Sequence, residues 1–216
     1  MNKSYIAVFD SGVGGLNILE SLVIEFPHEN FIFLADEEFF PYGVKTIIIA
    51  CNTASANSHH LKNIISTNVI EIITATAHYA LEVSDTKKIG VWATNATILS
   101  NKYQEALSNA LSCYPVKASD LVELIESNLL EDTKPLVNEH LNEIQDADSL
   151  ILGCTHFPLV KKLFSHYKDI EVKSYENEFI AKLRQDKNLS FYVRPYELKI
   201  ISKYFTNLNI SFYSLT

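Results

Sequence analysis

Six short apolar runs recur along this chain: IAVF at 6–9, FIFLA at 31–35, TIIIA at 46–50, VIEII at 69–73, KIGVWA at 88–93 and SLILG at 149–153. Runs of four to six apolar residues suit strands buried on both faces, and most are separated by stretches with helical spacing. One such stretch follows residue 12, with Leu16, Leu19, Leu22 and Val23 on one face. Others are predicted near 75–83, 97–111 and 133–145, and from Pro158 to Tyr167. Strands alternating with helices predict an α/β chain whose mainly parallel sheets are covered on both sides. In such sheets ligands sit beyond the carboxyl ends of the strands.

Two of the three cysteines stand at that position. Cys51 follows TIIIA in the block ACNTASA, and Cys154 follows SLILG in the block LGCTHFPL. Each is one step past a predicted strand end, with a helix expected to start directly after it. A thiol beside a helix N-terminus feels the positive end of the helix dipole, which favours the thiolate. A buried, inert cysteine is the common alternative for either one alone; finding the arrangement twice weighs against it. The repeat also suggests two similar lobes facing each other. Cys113 has no strand-end context and reads as packing.

Other residues join these by position. Asp10-Ser11-Gly12-Val13-Gly14-Gly15 follows the first run, and its glycines permit close backbone approach to an anion. The pattern is not G-x-G-x-x-G, which argues against a dinucleotide site. Asp10 suits either a substrate ammonium or a turn. Asn52 and Thr53 offer donors beside Cys51. His156, two residues after Cys154, is placed to tune the thiol or relay a proton. Pro41-Tyr42-Gly43 has the composition of a substrate loop. Thr94 and Thr97 supply hydroxyls to a ligand, or cap a helix. Glu126 reads as a solvated helix residue in preference to a buried acid near the site. His59, His60, Lys161 and Lys162 read as surface residues.

Composition narrows the partners. The chain has 216 residues, a formal charge of −8 and a pI near 5.3. An acidic chain without a basic run argues against nucleic acid or an anionic membrane as partner. Three cysteines without a CxxC fit neither a disulfide framework nor a zinc site. The N-terminus runs straight into a strand-like stretch with no signal-peptide pattern, and no apolar run reaches the roughly 18 residues of a membrane span. A cytoplasmic protein with reduced thiols is expected.

Together FDSGVGGLNIL (9–19), Asp36 with PYG (41–43), ACNTASA (50–56), ATNAT (93–97) and LGCTHFPL (152–159) resemble the glutamate racemases of the aspartate/glutamate racemase superfamily. From about Ile170 onward the resemblance is faint. It implies two α/β lobes related by a pseudo-twofold axis, with the active site between them. By the resemblance one lobe comprises 1–73 plus 175–216 and carries Cys51; the other comprises 74–174 and carries Cys154. It further implies that Cys51 and Cys154 are the acid/base pair on opposite faces of the substrate α-carbon, assisted by Asp10 and His156. Substrate contacts would come from Asp10, Ser11, Pro41, Tyr42, Gly43, Asn52, Thr53, Thr94, Thr97, Thr155 and His156. It implies no cofactor and no metal, glutamate as small-molecule substrate, a bacterial source and a role in supplying D-glutamate to peptidoglycan. A homodimer is compatible with it. The alternatives are a two-cysteine racemase for aspartate or hydantoins, and a racemase-like protein that binds without catalysis.

One stretch departs from the resembled pattern. A parallel crossover normally takes a dozen or more residues, usually with a helix, and only ten separate the runs at 31–35 and 46–50. The resembled family carries about two dozen further residues after PYG. The stretch before Asp120 is also short. The favoured expectation is a missing segment, with Gly43 and Val44 far more than the ~3.8 Å of a peptide-linked Cα pair apart.

Overall fold

The computed structural model describes residues 5–34, 43–61, 66–127, 129–144, 146–158, 171–173, 189–193 and 210–214. In chain order these form β1 (Tyr5–Phe9), a 3-10 turn (Val13–Gly15), α1 (Leu16–Glu25), β2 (Asn30–Leu34), β3 (Val44–Ile49), α2 (Asn52–Asn57) and β4 (Asn68–Glu71). Then follow α3 (Ile72–Val83), β5 (Lys88–Ala93), α4 (Asn95–Leu99), α5 (Lys102–Ala106), β6 (Ser112–Lys117) and α6 (Ser119–Glu126). After a second 3-10 turn (Leu130–Asp132) come α7 (Thr133–Asn142), β7 (Ser149–Gly153), β8 (Glu171–Lys173), β9 (Leu189–Val193) and β10 (Ile210–Ser214).

The chain divides into two compact units, Met1–Ile72 with Phe179–Thr216, and Ile73–Glu178. The first holds a sheet in the order β10-β9-β2-β1-β3-β4, and the second a sheet in the order β6-β5-β7-β8. Among the described residues every strand pair is parallel. The protein is therefore α/β, as the alternating runs predict. The first four strands of each unit share one order: second, first, third, fourth. In each, the connections leave the first strand to opposite sides, so the first and third strands form a topological switch point with a crevice at their carboxyl ends.

Side chains alternate across the first sheet. Ile6, Val8, Phe31, Phe33, Ile48 and Ala50 pack beneath Leu16, Leu19 and Leu22 of α1. Burial of each of these leucines contributes about 1.5–3 kcal/mol. The opposite face carries Ala7, Ile32, Leu34, Ile47, Ile49 and Val69. In the second unit α6 and α7 contribute Leu121, Ile125, Val137 and Leu141 to a core with Trp92, Leu150, Leu152 and Phe157. Asp148 ties this sheet to the end of α3. Burial raises its pKa, but hydrogen bonds from Ser84 and Thr86 outweigh that and hold it at about 2.

Several expectations are corrected. The 216-residue chain runs directly from Gly43 into β3: Val44 pairs with Tyr5, whose N–H donates to the Gly43 carbonyl at 3.0 Å. The connection from β2 to β3 is nine residues in this sequence, and residues 35–42 of it lie outside the described residues. The run at 69–73 splits, ending as a strand at Glu71 and continuing as helix from Ile72. The expected helix at 97–111 is two short helices, broken where Asn101 takes a left-handed conformation with φ 58°. Strand β6, which the apolar runs do not predict, contains Pro115; among the described strands it is at a sheet edge, where proline is tolerated. The expected helix from Pro158 to Tyr167 lies outside the described residues beyond Pro158. Among the described residues no helix is long and apolar enough to cross a membrane.

Candidate functional site

Each switch point ends in a cysteine. In the first unit the carboxyl ends of β1 and β3 lie side by side, Phe9 opposite Ile49. The Ala50 and Cys51 amides both donate to the Phe9 carbonyl, at 2.8 and 3.4 Å, and the Asp10 amide donates to Leu34 of β2 at 3.0 Å. These bonds bring Asp10-Ser11 beside Cys51. Cys51 is the N-cap of α2, and its Sγ accepts from the Ala54 amide at 3.4 Å. Ser11 Oγ lies 3.3 Å from the same sulfur. Asp10 is buried, and its Oδ1 accepts from the Gly12 amide at 2.9 Å. Gly15 is required there, because a Cβ at Gly15 would lie 2.5 Å from the Asp10 Cβ.

Burial pushes the Cys51 thiol above its ordinary pKa, and the nearby Asp10 carboxylate pushes it further. The hydrogen bonds from Ser11 and Ala54 pull downward without overcoming them. The thiolate-favouring effect expected from the helix end is thus outweighed by desolvation and by Asp10. The free Cys51 is held as a thiol.

In the second unit β5 and β7 end side by side, Ala93 opposite Gly153. A Cβ on Gly153 would meet the Trp92 carbonyl oxygen at 2.8 Å, so only glycine permits this close approach. Cys154 follows directly and is buried. Its Sγ lies 3.5 Å from His156 Nδ1, and His156 Nε2 lies 3.1 Å from Glu126 Oε1. Burial lowers the His156 pKa, and Glu126 offsets part of that. A carboxylate facing Nε2 places the imidazole proton on that nitrogen, so Nδ1 presents its lone pair to the Cys154 thiol. His156 is thereby arranged to take a proton from the sulfur. The residue that sequence reasoning underrated is Glu126: it is exposed, as expected, yet it engages His156. The pairing joins the end of α6 to the loop after β7, and no local sequence pattern announces it.

The remaining candidates separate into two groups. Asn52, Thr155 and His156 are buried beside the two cysteines in sequence, and Thr53 is half-buried. Thr94 is the N-cap of α4 at the carboxyl end of β5, accepting from the Thr97 amide at 3.3 Å, with the two hydroxyls 2.9 Å apart. Gly43 does not join them. It precedes β3 and bonds to the start of β1, at the amino end of the sheet, whereas Cys51 is at the carboxyl end. At about 3.3 Å per residue, β3 puts roughly 20 Å between them. Gly43 and Cys51 thus stand at opposite ends of β3, because the loop leads directly into the amino end of that strand. Pro41 and Tyr42 lie outside the described residues. Among the described residues no group of three or more His, Cys, Asp or Glu side chains is arranged to hold a metal ion. Cys113 lies within β6, its pKa pushed up to about 11 by burial.

Comparison with known proteins is consistent across sequence and structure. Residues 41–172 match the Asp/Glu/Hydantoin racemase family. A glutamate racemase from Lactococcus lactis subsp. lactis is 33% identical over 202 aligned positions, which take up 80% of this chain and 74% of that protein. One from Aquifex pyrophilus is 36% identical, covering 77% of each. A solved glutamate racemase from Bacillus anthracis superposes with a TM-score of 0.85 at 27% identity, over 100% of this chain and 98% of that one. The aligned span with the Lactococcus protein is longer than the stretch of this chain it takes up, so that relative carries residues this chain lacks inside the match.

Proposed function

The chain belongs to the Asp/Glu/Hydantoin racemase family, and from that premise we propose that it interconverts L- and D-glutamate by proton transfer at the α-carbon. The observation that carries the reading is the repeated placement of a buried cysteine at a switch point, each with its own polar partners. Inversion at carbon requires one group to remove a proton from one face and another to return a proton to the opposite face. A thiol serves either role once its environment adjusts its acidity. The mechanism requires each unit to contribute one sulfur, and the units take the roles of the family's two lobes.

In the proposed cycle one sulfur, as thiolate, removes the α-proton while the other, as thiol, delivers its own. The product leaves the two protonation states exchanged. His156, oriented by Glu126, accepts the proton that makes Cys154 a thiolate. At Cys51 the Ser11 hydroxyl and the Ala54 amide stabilise negative charge on sulfur, whereas Asp10 favours the thiol. Asp10, Ser11, Asn52, Thr53, Thr94, Thr97, Thr155 and His156 are the proposed substrate contacts. Fixed donors of this kind stabilise a carbanion where no cofactor delocalises it. The proposal includes a cofactor-free, cytoplasmic enzyme, a homodimer and D-glutamate supplied to peptidoglycan; support for these comes from the family alone.

Cys51→Ser and Cys154→Ser test the reading. Each is expected to lower racemisation by about 10²–10⁴-fold or more, measured by optical rotation with L- and with D-glutamate. Normal rates in either variant overturn the two-thiol mechanism. Turnover of aspartate with glutamate inert moves the substrate to the neighbouring class. A second reading, binding without turnover, is favoured by one observation: Gly43 sits at the amino end of its sheet. Saturable glutamate binding with no loss of the α-proton would establish it.

A further inference from the structure

Ser55 lies in the block ACNTASA but has no part in the cycle above. It is 5% exposed. Its hydroxyl donates to the Ile49 carbonyl at 3.1 Å and accepts from the Ile72 amide at 3.3 Å. Its own amide donates to the Cys51 carbonyl at 2.9 Å. Ser55 thus grips the junction between β3 and α2 on both sides of Ala50 and Cys51. Ile72 is the first residue of α3, and a helix's first amides have no partner within the helix. The hydroxyl of a residue 17 positions earlier supplies that partner.

We infer that Ser55 is a positioning residue for Cys51: its side chain locks the strand end and the first amide of α3 into one hydrogen-bonded unit and so fixes where the sulfur stands. The consequence for racemisation rests on the function proposed above; the positioning itself does not. Removing the hydroxyl leaves the Ile49 carbonyl and the buried Ile72 amide each short of a bond. The strand end is then free to shift, and with it the distances from Cys51 Sγ to Ser11 Oγ and to the Ala54 amide, the contacts that lower the thiol pKa.

The test compares wild type, Ser55→Ala and Ser55→Thr. Three quantities are read: hydrogen exchange at the Ile72 amide, the pH profile of Cys51 alkylation by iodoacetamide resolved by peptide mass, and kcat and KM with glutamate. Ser55→Ala is expected to speed Ile72 exchange about tenfold, to move the Cys51 alkylation profile to higher pH, and to lower kcat more than it raises KM. Ser55→Thr, which keeps the hydroxyl, is expected to restore all three. An unchanged Cys51 profile in Ser55→Ala overturns the inference, as does unchanged Ile72 exchange. Should Ser55→Ala not fold, the wild type decides: the inference requires the Ile72 amide to exchange together with those of Ala54 and Ser55, and independent exchange overturns it. Alkylation and exchange need no substrate. A shifted profile in a protein whose wild type leaves glutamate untouched therefore supports the positioning role and removes only the racemase reading.

Discussion

Cys51 and Cys154 share a backbone position but not an environment. Cys51 meets a hydroxyl and an amide with a carboxylate nearby, and Cys154 meets an imidazole backed by a carboxylate. The asymmetry leads to a pH prediction. Burial holds the His156 pKa down and Glu126 raises it, so Glu126→Gln is expected to lower it further. His156 then stays neutral to lower pH, and the acid limb of kcat/KM moves down with it. NMR titration of the His156 ring alongside the rate profile checks this; a limb that moves up contradicts it. Because Glu126 is exposed, the shift should shrink as salt is added. Gly153 gives a steric prediction. A Cβ added at Gly153 would press on the Trp92 carbonyl oxygen, so Gly153→Ala is expected to cost about 1–3 kcal/mol, read by denaturant unfolding, and to slow racemisation by displacing Cys154.

At the scale of elements the connection between β2 and β3 carries the most consequence. Both strands pair with β1 in parallel, yet the chain spans them in nine residues, 35–43. Beside the incoming chain Lys45 of β3 reaches the buried Glu29, Nζ to Oε2 at 2.6 Å. Lys45→Met would leave that carboxylate buried without its cation and is expected to destabilise the protein by about 1–3 kcal/mol; an unchanged denaturant midpoint would remove the pair from the account. The same elements show what was legible in the sequence. β5 and β7 match their apolar runs end to end, β5 lying between Lys87 and Thr94 and β7 starting after Asp148 and ending at Gly153. VIEII reads as one strand but splits, because apolar runs without alternation fit strand and helix alike, and the partner that makes Ile72 a helix start, Ser55, is remote in sequence. β6 was missed because SCYPVK is not a continuous apolar run. The cysteine blocks were legible because their chemistry is local. Glu126 and the displacement of Gly43 were not, since one depends on a contact between distant segments and the other on which end of a sheet a short loop reaches.

For the whole molecule, the repeated strand order places one thiol at the same topological point of two units. That repetition is the physical basis for reading the chain as a two-base catalyst, and it holds although the chain lacks residues that its Lactococcus relative carries. The central claim is that the two sulfurs exchange the α-proton of glutamate with solvent during inversion. The most direct measurement is made on the intact protein in D₂O, without added cofactor, starting separately from L- and D-glutamate. The α-proton signal is followed by NMR and the optical rotation is followed in parallel. The account predicts that both change from either enantiomer, with deuterium appearing in the product enantiomer from the first turnovers and aspartate untouched. Folded protein that leaves both the α-proton and the rotation of glutamate unchanged would contradict it.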